Sequence, residues 1–130
     1  MLGDRRCATM IPASDIERAK TWYADKLGFK PTYEDPGGVQ YECADATGFW
    51  VYPSQFAGTN QATVMGWLTD DLTAEMQELR ANGVVFEEYD LPEIKTVDGV
   101  AELGPEDRGC WFKDSEGNIL SLFESPRYKS

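Results

Sequence analysis

The chain has 130 residues, a length that suits one domain with a core of its own. With 23 acidic against 12 basic residues its formal charge is −11, so nucleic acid and anionic membrane are excluded as partners, because phosphate recognition needs clustered Lys and Arg. It contains no histidine, which removes the commonest metal ligand and the commonest general base and rules out any Ser-His-Asp or Cys-His arrangement.

In chain order, the N-terminus has charges at Asp4, Arg5 and Arg6 but no apolar signal-peptide core, and no run approaches the ~20 apolar residues of a membrane span. A strand is expected at Cys7–Ile11. Ser14-Asp15-Ile16-Glu17 reads as a capping box, with Ser14 as the cap. Ile16, Ala19, Tyr23 and Leu27 follow at helical spacing, and Gly28 stops the helix. Short strands are expected near Thr32–Glu34, Val39–Cys43 and Phe49–Tyr52, divided by Pro36-Gly37-Gly38 and Asp45-Ala46-Thr47-Gly48.

The second half repeats this order. Strand Ala62–Leu68 leads to Asp70-Asp71, then to a helix with Leu72, Met76 and Leu79 on one face and Gly83 at its end. Strands follow near Val84–Glu87, Gly99–Leu103, Gly109–Lys113 and Ile119–Phe123, with Asp90–Val97 read as an extra loop. Ser14-Asp15 matches Asp70-Asp71, and Asp45–Gly48 matches Asp114–Gly117. The predicted organisation is therefore an α+β chain of two βαβββ repeats, about 5–56 and about 60–125, within one domain spanning 1–130. Each repeat alone would leave one sheet face bare, so the two must associate. Cys7, Cys43 and Cys110 are odd in number, show no metal-binding spacing, and are expected as buried packing in a reducing cytoplasm.

Two stretches carry a resemblance. Thr9 to Tyr23 with Leu27-Gly28-Phe29 is similar to the opening of the glyoxalase, bleomycin-resistance and extradiol-dioxygenase (vicinal-oxygen-chelate) superfamily, and Trp111 to Leu120 resembles its closing motif. The resemblance implies two half-barrels forming a concave mixed sheet with helices on the convex side. In metal-dependent members each copy supplies two ligands. One stands seven residues before the helix-opening Asp, here Ala8 and Val64, and one four residues after the turn glycine, here Tyr52 and Ser121. Divalent ions of this family want imidazole or carboxylate, and none of the four is either, so neither metal nor other cofactor is expected.

Strand alternation turns Met10, Trp50, Tyr52, Ser121 and Phe123 into the concavity, and Ile11, Val51, Trp67, Leu120 and Leu122 under the helices. Tyr41, Phe56 and Trp111 could extend an aromatic wall, and Glu102 is expected near the mouth, where it would meet a cation. Such a concavity is either a pocket or a plug of its own side chains. The expected function is non-catalytic binding of a hydrophobic, aromatic or cationic small molecule by a cytoplasmic homodimer, as in the bleomycin-resistance branch. The alternative is a lyase, isomerase or dioxygenase with a displaced metal site or metal-free chemistry at Tyr52, Glu102 or a cysteine.

Overall fold

Among the described residues two amphipathic helices and nine strands follow one another, the second half carrying one strand more than the first. The computed structural model describes residues 1–128. In chain order the elements are β1 (Thr9–Ala13), α1 (Ile16–Leu27), β2 (Tyr33–Asp35), β3 (Gly38–Glu42) and β4 (Gly48–Pro53). Then come β5 (Thr63–Thr69), α2 (Leu72–Ala81), β6 (Thr96–Val97), β7 (Val100–Glu102), β8 (Arg108–Lys113) and β9 (Ile119–Glu124). They form two mixed sheets, ordered β1-β4-β3-β2 and β5-β9-β8-β7-β6. In each, the strand that precedes the helix runs parallel to the last strand, and the other pairs are antiparallel. The α+β fold of paired βαβββ units thus stands, with β1 and β5 side by side at the centre but carrying no ladder between them.

One apolar core serves both halves. Ile11 and Val51 from the first sheet, Leu120 and Leu122 from the second, and Leu72, Met76 and Leu79 from α2 are all buried. An aromatic chain crosses the junction. The Phe49 ring lies 5.4 Å from Tyr23 and 6.0 Å from Trp67, and Trp67 stacks at 6.5 Å on Phe112. Aromatic pairs in this range add to the burial term.

The local details differ from expectation in four places. Asp15, not Ser14, caps α1: its carboxylate accepts from the Arg18 amide at 3.0 Å, and Asp71 does the same for α2 with the Ala74 amide. Ser14 Oγ instead donates to Glu116 of the other half, so the expected capping box does not form. The predicted strand at 84–87 reduces to a single bridge, Phe86 to Phe112, because the chain leaving Gly83 runs past β8 with Val85 turned to solvent. The predicted loop at 90–97 ends in β6, which gives the second sheet its fifth strand.

The fourth difference concerns register. The Cys43 amide donates to the Thr47 carbonyl, and the Asp114 amide to the Asn118 carbonyl. The two turns are equivalent, but two residues off from the match read in the sequence. Asp45 answers to Glu116, and Ala46, at φ 60°, answers to Gly117 at φ 86°. Gly48 already belongs to β4. Trp50, opposite Met10, is consequently the counterpart of Ser121, opposite Gly66.

Candidate functional site

Alternation along the strands of the first sheet sorts its side chains cleanly. Val39, Tyr41, Phe49 and Val51 are buried against the helix side. Gln40, Glu42 and Trp50 emerge on the other face. Tyr33, Gln40, Trp50 and Met10 sit in one row across the four strands, each the register partner of the next. Tyr33 and Trp50 stack with centroids 6.2 Å apart and planes inclined by 26°. The Trp50 indole lies over Gly37 and Gly38. A Cβ on Gly38, at φ 142°, would strike the Val51 carbonyl and come within 3.0 Å of the indole nitrogen. Glycine there lets the ring lie down on the turn.

Above this row lies a cavity of about 760 Å³, lined by Met10, Tyr33, Gln40 and Trp50 with Arg6 and Glu42 at its rim. Met10 is 52% and Tyr33 53% exposed, so the apolar floor is open to solvent. Arg6 is held in place by a 3.0 Å hydrogen bond from its guanidinium to the Ala46 carbonyl. The Tyr33 hydroxyl donates to Asp35, which raises the phenol above its ordinary value and keeps it neutral. The floor is thus a flat aromatic surface with one cation and one carboxylate at its edge, suited to stacking and hydrogen bonding.

The concave face of the second sheet is built from the same strand pattern and carries aromatic pairs of its own. Trp111 meets Tyr89 edge-on at 5.6 Å, and Phe123 meets Tyr128 at 6.1 Å. Ser121 stands between Trp111 on β8 and Gly66 on β5. A Cβ on Gly66 would run into Ser121 Oγ, so small side chains on both strands are what this crossing accommodates.

The structure therefore gathers Met10 and Trp50 into one cavity but leaves other expected site residues elsewhere. Tyr52 shares their face, beside Pro12, outside the cavity lining. Ser121, Phe123 and Trp111 belong to the concave face of the second sheet. Tyr41 touches the cavity wall, but it is 1% exposed and its ring packs on Phe49 at 4.9 Å, a core residue rather than a ligand surface. Phe56 projects from the β4–β5 connection, 67% exposed. Glu102 is the register partner of Arg108, which reaches Glu124 and Thr73 beside α2. It lines a separate 660 Å³ depression over the 91–98 segment, on the helix side of the sheet and away from the concave face. Its expected place at the mouth was wrong because the residue's parity, not its nearness to the turn, decides the face.

Among the cysteines, Cys110 is buried and its thiol is pushed up to about 12 by that burial, which leaves it inert as a nucleophile. Cys7 departs from the buried role expected for it. It is exposed at the edge of the cavity, with Cys43 half-buried nearby.

The residues at the superfamily's ligand positions do not fit a divalent ion. With the register corrected, these are Ala8, Trp50, Val64 and Ser121, and a lone hydroxyl is the whole donor set. Among the described residues no three His, Cys, Asp or Glu side chains form a metal-holding group. Sequence reasoning missed Tyr33, Gln40, Glu42 and Arg6. The signal for Gln40 and Glu42 was present, since they alternate with Val39 and Tyr41 at period two.

Paired βαβββ units with an open concave face define a half-barrel α+β fold. The model of the Glyoxalase/Bleomycin resistance protein/Dioxygenase superfamily matches residues 7–122, and the chain belongs to that superfamily. No curated protein matches it. Among solved structures it is similar to UcmS2, with 18% identity, 93% of this chain and 99% of that one covered, and a TM-score of 0.69. TnmS3, an antibiotic binding protein from Streptomyces sp. CB03234, gives 23% identity, 92% and 96% coverage and 0.64. A bleomycin-binding protein complexed with bleomycin gives 17% identity, 93% and 98% coverage and 0.67. At these identities the likeness is one of fold. No described helix is long and apolar enough to cross a membrane.

Proposed function

We propose that the protein is a non-catalytic small-molecule binder that holds a hydrophobic, aromatic or cationic compound on the concave face of its first sheet. The observation that carries the reading is the open aromatic floor, Tyr33 stacked on Trp50 beside Met10, under a cavity of about 760 Å³. A cavity of that volume is of the size that small-molecule sites have. The absence of histidine and the unsuitable donor set support binding over metal-assisted lyase, isomerase or dioxygenase chemistry, the competing reading. Two structural neighbours are named for binding antibiotics, and a resistance role by sequestration is part of the proposal.

The working unit in this proposal is a cytoplasmic homodimer. The first face is apolar and bare within one chain, and a second copy laid against it would close the cavity.

The test is a thermal-shift screen of planar aromatic compounds, cationic, neutral and anionic, on wild type and Trp50→Ala. The reading expects compounds that raise the wild-type midpoint and lose their effect in the variant. Stabilisation that survives Trp50→Ala in full would move the site elsewhere. Tight stoichiometric metal in the purified protein would favour the enzyme reading.

A further inference from the structure

The two halves meet around Trp67, and their packing there is incomplete. A hollow of about 250 Å³ remains, walled by Leu27 and Phe29 from the end of the first helix, Trp67 from β5, and Leu79 and Phe112, with Glu75 at its edge. Leu79 and Phe112 are buried, and the rings are close to parallel: Trp67 lies at 29° to Phe29 and 11° to Phe112. This hollow shares no lining residue with the concave-face cavity.

Its size and walls define what it accepts. The volume falls below the ~300–1,000 Å³ of drug-sized sites, so the occupant has about one ring. Flat aromatic and branched aliphatic walls favour a flat apolar body. Glu75 is the one ionisable residue of the lining, and among the described residues it makes no ion pair. An anion would meet this carboxylate and a chain of net charge −11, whereas an ammonium would be attracted by both. The geometry points to a second ligand site, on the seam between the two halves, that takes a single-ring aromatic amine with its ring against Trp67 and its ammonium toward Glu75.

Benzylamine, benzyl alcohol and benzoate are the probes, titrated into the nitrogen-15-labelled full chain. The Trp67 indole cross-peak is assigned from Trp67→Phe, and the Trp50 cross-peak reports the concave face separately. Benzylamine should shift the Trp67 signal saturably and leave that of Trp50 in place. Benzyl alcohol should bind about two- to fivefold more weakly, the range of a surface charge pair. Benzoate should not bind. Glu75→Gln, a surface change, should bring benzylamine down to the level of the alcohol, and Leu27→Phe should fill the hollow and abolish both. No saturable shift at Trp67, equal binding of benzoate, or unchanged benzylamine binding in Glu75→Gln would each overturn the site. Because the two indole signals are read apart, failure here leaves the concave-face reading standing, and the reverse.

Discussion

Trp50 and Leu120 show how one position along a strand separates binding from stability. Trp50 rests on a glycine turn and faces the cavity, whereas Leu120 is fully buried between the second sheet and the helix layer. Trp50→Ala should weaken ligands of the concave face while leaving the urea midpoint near wild type. Leu120→Ala should cost ~2–5 kcal/mol in the same unfolding measurement, the usual range for emptying a packed site. Gly38 belongs to both effects. Alanine there meets the Val51 carbonyl at a backbone angle that L residues avoid, so Gly38→Ala should destabilise by ~1–3 kcal/mol and displace the indole. Near-ultraviolet circular dichroism would register the second change, and an unaltered tryptophan band would argue that the ring does not depend on the turn.

At the scale of elements, the β8–β9 turn is a clasp between the halves. Tyr23 of α1 donates to Asp114 at 2.8 Å, and Asn118 donates to the Pro12 carbonyl at 2.8 Å. The Glu116 carboxylate, its side chain 1% exposed, accepts from Arg18, Ser115, Ser14 and the Asp15 amide. Burial alone would push this carboxyl up, but those hydrogen bonds outweigh it and hold the group at about 2, below an ordinary 4.5. A carboxyl held low in the folded state contributes its stability above the unfolded value and loses it as pH falls toward the folded one. Stability should therefore decline between about pH 4.5 and pH 2. The loss from this group is ~2–3 kcal/mol, set below the full conversion because Arg18 is half exposed. Glu116→Gln should lose a similar amount at pH 7 and flatten that acid limb. A variant with an unchanged acid limb would show that the clasp does not act through charge. The other half solves the same problem differently, with Glu124 accepting from the Leu72 amide at the start of α2.

For the whole molecule, the asymmetry between the two concave faces matters most. On one, Tyr89 and Tyr128 pack edge-on against Trp111 and Phe123, and on the other Met10 and Tyr33 are about half exposed. A bare apolar face of this kind is expected to be covered, and the proposed cover is a second copy. Sedimentation should give a dimer at micromolar concentration, and a Met10→Lys change should shift it toward monomer. A monomeric wild type would remove the dimer from the functional proposal.

The sequence by itself determined the repeat, the place of both helices to within a residue (Ser14 was read as the cap where Asp15 serves) and the sorting of strand faces. Those follow from short-range rules: Asp at a cap, glycine after a helix, and apolar residues at period two or 3.6. Parity placed Ile11, Val51 and Leu120 in the core and Met10 and Trp50 outside it, and the error in the turn match left that sorting intact because it was two residues, a whole strand period. Only the tertiary structure decided what covers each face. That Ser14 and Arg18 serve Glu116, about a hundred residues away, has no local signal. Nor does the packing of Tyr89 on Trp111 and of Tyr128 on Phe123. These depend on how two twisted sheets and the inserted segment meet in space, and contacts between residues distant in the chain are set by the packing of whole elements, which periodicity along the chain does not record.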